Sequence, residues 1–141
     1  MDRRDFMRLG AVSAVGSVLL SKQVLAETEA PEGAGGLYFT KEAPGRWKGK
    51  EATHAPNVDV SKTETGVTVK VTTPHEMKGY EHYIIKHVLL DKNYQFIEEK
   101  MFDPNKDKVP MSSFTLKDYS GTVHVISMCN KHDVWLSSAE V

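Results

Sequence analysis

The segment V-T-V-K-V-T at residues 67–72 alternates valine with a polar residue over six consecutive positions. Side chains of a β-strand point to opposite faces in turn, so the three valines would share one buried face. The next apolar run, H-Y-I-I-K-H-V-L-L-D at residues 82–91, is nearly continuous and rich in branched residues. Such a run is typical of a central strand with both faces covered. The two segments therefore predict one half-buried strand and one central strand.

Weaker strand patterns surround these two segments. They lie at residues 94–97, 109–116, 121–128 and 135–136, with turn signals at 91–93, 103–107 and 118–121. No convincing helical stripe follows the first 26 residues. Short strands at this spacing predict an all-β domain built as a β-sandwich.

The N-terminus has the pattern of a secretory signal. Charged residues at 2–8 precede an apolar run at 9–20, and Ala26 ends a short V-L-A segment suited to cleavage. Arg3 and Arg4, followed by Asp-Phe-Met, are typical of a twin-arginine signal and predict export to the periplasm. The apolar run is too short to span a bilayer comfortably, so no permanent anchor is expected. An uncut N-terminal anchor is the alternative.

The expected domain organisation follows from this signal. Residues 1–26 are the signal peptide, 27–46 a flexible N-terminal arm, and 47–141 the folded domain. Residues 27–36 are rich in Glu, Ala, Pro and Gly, which is typical of a flexible leader. Trp47 is expected to pin the end of the arm.

Charge and cysteine content exclude some classes of protein. The chain of 141 residues has a net charge of −1, and removing residues 1–26 leaves a net charge of about −3. This charge does not favour nucleic acid as a partner. Cys129 is the only cysteine, so an intramolecular disulfide is impossible. A lone thiol in an oxidising compartment is inert, paired with another chain, or bound to a metal.

Histidines and the cysteine are the candidate metal ligands. All six histidines follow the predicted signal: His54, His75, His82, His87, His124 and His132. Cys129 and His132 form a Cys-x-x-His turn, whose thiolate and imidazole together suit zinc, copper or iron. By itself this motif is weak, and a chance occurrence is the simpler interpretation.

Three further histidines can converge on this turn. His75 and His82 bracket a loop that contains Gly79, and His54 precedes a proline. Each of them alone could be a surface residue. Together the five side chains exceed the four ligands of a structural zinc site, and a free sixth position would suit an iron that meets a small substrate. His87 and His124 are expected not to be ligands.

Four motifs resemble the iron domain of superoxide reductases, the neelaredoxin and desulfoferrodoxin family. They are Trp47-Lys48-Gly49, His54-Ala55-Pro56, Pro74-His75 with Glu81-His82-Tyr83-Ile84, and Cys129-Asn130-x-His132-x-x-Trp135, and they cover roughly residues 47–136. The resemblance implies an immunoglobulin-like β-sandwich of about seven strands.

The same resemblance implies an activity and a set of ligands. The ligands would be His54, His75, His82 and His132 in a plane, with Cys129 on the axis of one iron. Superoxide would bind at the open position and leave as hydrogen peroxide after one electron and two protons. An electron-donor protein is implied, and the sequence does not identify it. No four-cysteine motif precedes the domain, so the second iron centre of desulfoferrodoxins is not expected.

The sequence departs from the family pattern near the first histidine. Ala52-Thr53 stand where the family commonly has Glu-Lys, so Lys50 and Glu51 are the catalytic candidates. Lys48 and Lys131 could add to a local positive field that attracts an anion. Two other departures are six residues between the paired histidines, where the family has five, and an aspartate after the last histidine, where glycine is common.

Two other functions are compatible with the sequence. One is a non-enzymatic periplasmic binding module of the sulfur-oxidation carrier-binding type, which shares an immunoglobulin-like fold and needs no metal. The other is a structural zinc site or an iron electron-transfer centre whose coordination positions are all filled. A homo-oligomer is also possible, because the edge strands of a sandwich often pair.

Overall fold

The computed structural model describes residues 32–141. The predicted signal peptide, its cleavage after Ala26 and the first residues of the arm lie outside the described residues. Within 32–141, no helix has the length and apolar character needed to cross a membrane.

Seven antiparallel strands in two sheets make up the described part of the chain. They are β1 (Asn57–Thr63), β2 (Gly66–Thr72), β3 (Ile84–Leu90), β4 (Phe96–Met101), β5 (Met111–Leu116), β6 (Thr122–Cys129) and β7 (Asp133–Glu140). One sheet has the order β1-β2-β5 and the other β4-β3-β6-β7. The predicted all-β, immunoglobulin-like sandwich is confirmed.

The two segments that predicted the strands contribute to the hydrophobic core between the two sheets. In β2 the three valines face inward, and Val69 pairs with Phe114 of β5. Leu89 of β3 and Val125 of β6 pack against them from the other sheet. β3 lies between β4 and β6, as a continuous apolar run requires.

Two elements differ from the sequence-based prediction. β7 runs over eight residues, whereas the apolar signal covers only residues 135–136. Several outer positions of this strand are half-exposed, so its hydrophobic period is weak. A one-turn α-helix, α1 (Glu51–His54), was not predicted, because four residues are too few to show a helical period.

The second half of the predicted arm contacts the sandwich. Phe39 is buried, and its N–H donates to the Val134 carbonyl at 2.9 Å. Its own carbonyl accepts the Leu136 N–H at 2.8 Å. The Phe39 ring packs on Trp135, with 5.8 Å between ring centroids, and Trp47 packs at the edge of this apolar cluster. The arm therefore packs against the first residues of β7.

Candidate metal centre

The five predicted donors come from four separate segments and meet at one end of the sandwich. His54 ends α1, and His75 lies in the loop after β2. His82 follows a 3₁₀ turn. Cys129 ends β6, and His132 lies in the turn to β7.

The ring nitrogens of the four histidines form a quadrilateral. Nε2 of His54 lies 3.1 Å from Nδ1 of His132, which lies 3.2 Å from Nε2 of His82. Nε2 of His82 lies 3.1 Å from Nε2 of His75. The rings of His75 and His54 close the figure, with 4.7 Å between their centroids. Three histidines thus present Nε2 to the centre, and the fourth presents Nδ1.

The thiol lies on the buried side of this quadrilateral. Sγ of Cys129 is 3.6 Å from Nδ1 of His132 and 3.9 Å from Nε2 of His75. Ile84 and Phe102 form an apolar cluster with the cysteine. Ligand atoms of the first three histidines and the thiol all lie within 4.8 Å of one another.

These distances and donor types fit a metal ion. The centre of a square with edges of 3.1 Å lies about 2.2 Å from each corner, close to the usual His nitrogen–metal distance of about 2.0–2.1 Å. Four imidazoles and a thiolate suit iron, copper or zinc, and five converging donors exceed the tetrahedral set of a structural zinc site. The residues present therefore fit an iron that keeps one position open.

Backbone carbonyls orient two of the imidazoles. Nδ1 of His54 lies 3.1 Å from the Lys50 carbonyl, and Nδ1 of His75 lies 2.5 Å from the Glu76 carbonyl. A carbonyl only accepts, so the proton of each neutral ring is on Nδ1. Nε2 is then a bare lone pair that points to the centre. Such contacts hold a ligating ring in the correct tautomer.

Burial keeps these imidazoles neutral. Burial, followed by the neighbouring His75, lowers the pKa of His54 to about 4. Burial also lowers the pKa of His75, the Glu76 carbonyl acting against it. Metal ligands must be deprotonated, so neutral rings favour metal binding.

Positive charge surrounds the more exposed rings. Burial lowers the pKa of His82, and the ammonium groups of Lys131, Lys78 and Lys50 add to this effect. Burial, followed by Lys50, likewise lowers the pKa of His132. The exposed side of the site therefore has a positive local field, although the whole chain is slightly acidic.

Asn130 fastens the turn after β6 to the segment around His82. Its Oδ1 accepts the Tyr83 N–H at 3.0 Å, and its Nδ2 donates to the carbonyls of Tyr80 and Glu81 at 3.3 and 3.0 Å. This carboxamide therefore couples two ligand-bearing segments. Sequence reasoning gave it no role, although it lies within the Cys-Asn-x-His motif.

The aspartate after the last histidine has a structural role. Asp133 has φ 64°, a left-handed conformation that suits glycine best and aspartate better than most other residues. Its carboxylate accepts the indole N–H of Trp47 at 2.8 Å and pairs with Arg46, and both interactions lower its pKa. Trp47 in turn packs edge-on against His132. The departure from glycine thus ties the last ligand to the arm.

A cavity of about 430 Å³ opens over the quadrilateral. Its lining residues are Lys50, Thr53, His54, Pro74, His75, Glu76, His82 and His132. Cys129 is not among them, so the cavity opens on the side away from the sulfur. A small molecule can therefore reach the centre opposite the thiol.

The two catalytic candidates lie differently with respect to this cavity. Lys50 lines it. Glu51 does not, because both its carboxylate oxygens accept the Gly49 N–H, at 2.9 and 3.0 Å. Sequence reasoning missed Glu76 and Lys78 near the site, since nothing in the local sequence distinguishes them from other surface charges. The structure places His87 and His124 outside the cluster.

Fold and site together define a class: an immunoglobulin-like β-sandwich with a mononuclear metal centre of four histidines and one cysteine. The chain belongs to the desulfoferrodoxin family, whose model matches residues 46–138. This match spans all five candidate ligands.

Solved structures of superoxide reductases have a similar fold. A variant of the superoxide reductase (neelaredoxin) from Ignicoccus hospitalis is 28% identical, with a TM-score of 0.60, covering 74% of this chain and 93% of that one. Another structure of that protein is 24% identical, with a TM-score of 0.62 over 74% and 94% of the two chains. The superoxide reductase from Treponema pallidum is 27% identical, with a TM-score of 0.50 over 64% and 69%. No curated protein matches significantly.

Proposed function

We propose that this chain is a superoxide reductase, which reduces superoxide to hydrogen peroxide at one iron. The observation that carries the proposal is the cavity on the side of the nitrogen quadrilateral away from Cys129. Four imidazoles and a thiolate would hold the iron, and the cavity would give a small substrate access to it. The family match and the similarity to superoxide reductases support the same activity.

The residues of the chain perform distinct parts of this reaction. Bound iron would supply the single electron, as it passes from the ferrous to the ferric state. Lys50, Lys78 and Lys131 provide a positive field that attracts the superoxide anion to the cavity. Superoxide takes up one electron and two protons and leaves as hydrogen peroxide. The protons come from water, which reaches the centre through the open cavity.

The buried thiolate lies on the opposite side of the site from the cavity. With iron bound, Cys129 would be one of its ligands and would donate electron density to it, which would favour release of the product. The apolar residues around its sulfur exclude water there. The cysteine is thereby protected from oxidation, while the substrate side stays open.

Export and electron supply complete the proposal. Residues 1–26 would direct the protein to the periplasm by the twin-arginine route, which carries folded proteins and so permits iron insertion before export. N-terminal sequencing of the periplasmic protein should then begin at Glu27, whereas an intact N-terminus would contradict cleavage. The electron donor is proposed to be a redox protein that reaches the exposed imidazole edges of His82 and His132.

The first test is metal analysis with a visible spectrum, followed by mixing with superoxide. We expect one iron per chain, a thiolate-to-ferric absorption band and rapid oxidation of the reduced protein. Cys129→Ser should remove the band, and His124→Gln, which lies away from the cluster, should leave it unchanged. Stoichiometric zinc, or an iron that superoxide does not oxidise, would contradict the proposal.

The alternative functions explain less of the site. A carrier-binding module does not need five donors directed to one point. An electron-transfer centre with every position filled does not need a cavity over the metal. An iron that cycles with redox partners and does not react with superoxide would favour the electron-transfer function.

A further inference from the structure

A second polar group lies inside the sandwich, and the proposed reaction does not use it. His87 is fully buried, with Nε2 2.8 Å from Oγ1 of Thr73 and Nδ1 2.8 Å from Oγ of Ser112. Oγ1 of Thr73 is also 2.8 Å from Oγ of Ser127. We call these four side chains the His87 network.

Every polar atom of this network has a partner. No buried side-chain nitrogen or oxygen within residues 32–141 lacks a hydrogen bond. A neutral imidazole has one donor and one acceptor, and the three hydroxyls can rotate to match either tautomer. A satisfied buried network specifies one arrangement of the core, whereas apolar residues of similar size often give equal stability. The network therefore calls for a role in specifying geometry.

The network joins the two sheets. Thr73 directly follows β2, and its N–H donates to the Pro110 carbonyl at 3.0 Å, just before β5. Ser112 belongs to β5 in the same sheet. His87 and Ser127 are cross-strand partners on β3 and β6 of the other sheet. Hydrogen bonds from His87 and from Ser127 therefore cross between the sheets.

Two members of the network lie beside metal ligands. The Thr73 carbonyl accepts the N–H of His75 at 2.7 Å. Ser127 lies two residues before Cys129 in β6, so both side chains point to the same buried face. The His87 ring also packs edge-on against Phe102, which clusters with this cysteine. The network thus fixes the backbone where two ligands enter the site.

We propose that the His87 network is a positioning device for the metal centre. By holding Thr73 against Ser127, it sets the distance between the segments that carry His75 and Cys129. His87 itself binds no metal. The inference rests on the metal-binding part of the proposed function and does not depend on the reaction with superoxide.

The test uses the iron-loaded full chain and Thr73→Val, which keeps the shape of the side chain and removes the shared hydroxyl. We expect a shifted thiolate-to-ferric band, a shifted reduction potential and about 10–100-fold weaker iron retention against a chelator. Ser138→Ala is the matched control, because its hydroxyl bonds another imidazole, His124, at 2.6 Å. It should leave all three properties unchanged.

A second pair of variants separates positioning from folding. His87→Phe removes both hydrogen bonds of the ring, whereas His87→Gln keeps one donor and one acceptor and should restore most of the wild-type spectrum. Should His87→Phe fail to fold, Thr73→Val decides by itself. A wild-type band, potential and iron retention in Thr73→Val would overturn the inference, as would equal changes in Ser138→Ala.

The two proposals fail in distinguishable ways. If the wild-type protein holds iron but does not react with superoxide, the proposed function falls, and the comparison of Thr73→Val with Ser138→Ala still decides this inference. If the wild-type protein holds no iron, both fall.

Discussion

The sandwich contains a buried polar network with one imidazole and a candidate metal centre with four, and the two differ in how the ring nitrogens are used. In the His87 network, both ring nitrogens meet hydroxyl groups that can donate or accept. In the metal centre, the protons of His54 and His75 are directed to backbone carbonyls, so their Nε2 lone pairs face other nitrogens. The first group is complete within the protein, and the second requires a cation.

This difference also appears in where the residues lie. The network belongs mainly to strands and bridges two sheets, whereas four of the five candidate ligands lie in loops, in turns or at the end of helix α1. Residues on strands are held in fixed positions, whereas residues on loops can extend to a common point.

The largest effect is expected from removing one corner of the quadrilateral. His75→Ala leaves three imidazoles and the thiolate, and we expect iron affinity to fall by more than about 100-fold, beyond the usual cost of changing a residue behind a ligand. Chelator competition measures this affinity. His124→Ala is the control, and an iron affinity in His75→Ala equal to that of this control would remove His75 from the ligand set.

Protonation of His87 should destabilise the folded protein in acid. Burial lowers the pKa of His87 to about 4, from 6.5 in the unfolded chain. Between these values the unfolded chain binds more protons, so stability is full above pH 6.5 and declines as the pH falls toward 4. The decline is about 3 kcal/mol.

Urea unfolding of wild type and His87→Gln at several pH values isolates this contribution. The metal ligands titrate in both proteins, so their effect cancels in the difference. The wild-type protein should lose more stability than the variant over this range. Parallel pH profiles would show that folding does not lower the pKa of His87.

Loosening the turn after β6 should have an intermediate effect. Asn130→Ala removes three hydrogen bonds to the segment around His82, and we expect about 10–100-fold weaker iron retention with a shifted thiolate band. Asn105→Ala, at an exposed position in the turn after β4, is the control. Equal spectra in the two variants would mean that the turn holds its shape without the carboxamide.

The smallest effect is expected from reducing the positive electrostatic field at the cavity. Lys50→Ala removes a charge that lines the cavity, so the rate with superoxide should fall a few-fold at low salt and recover toward wild type as salt screens the field. Stopped-flow mixing at several salt concentrations measures this. Lys62→Ala, at an exposed position on β1, is the control. A loss that salt does not reduce would indicate a role other than attraction.

The core was predictable because its strands have clear hydrophobic patterns. The alternation at 67–72 and the apolar run at 82–91 each reflect burial against a neighbouring layer, so sequence and structure agree there. β7 was underestimated because it lies at the edge of its sheet with half-exposed outer positions. Helix α1 places His54, yet it is too short to leave a pattern.

The site was predictable in its residues but not in its arrangement. Family motifs name five donors, and the fold brings these five together. No spacing reveals that the cavity lies away from Cys129, that Glu51 turns back to Gly49, or that Asn130 reaches the loop before β3. These features depend on contacts between segments far apart in sequence.

The contact made by Phe39 bears on how the protein behaves at high concentration. β7 is the last strand of its sheet, and an uncovered edge is a template for pairing with another chain. The backbone of Phe39 occupies the Val134 carbonyl and the Leu136 N–H on that edge. A chain shortened past Phe39 would expose these groups, and it would be more prone to edge-to-edge aggregation even with its metal centre intact.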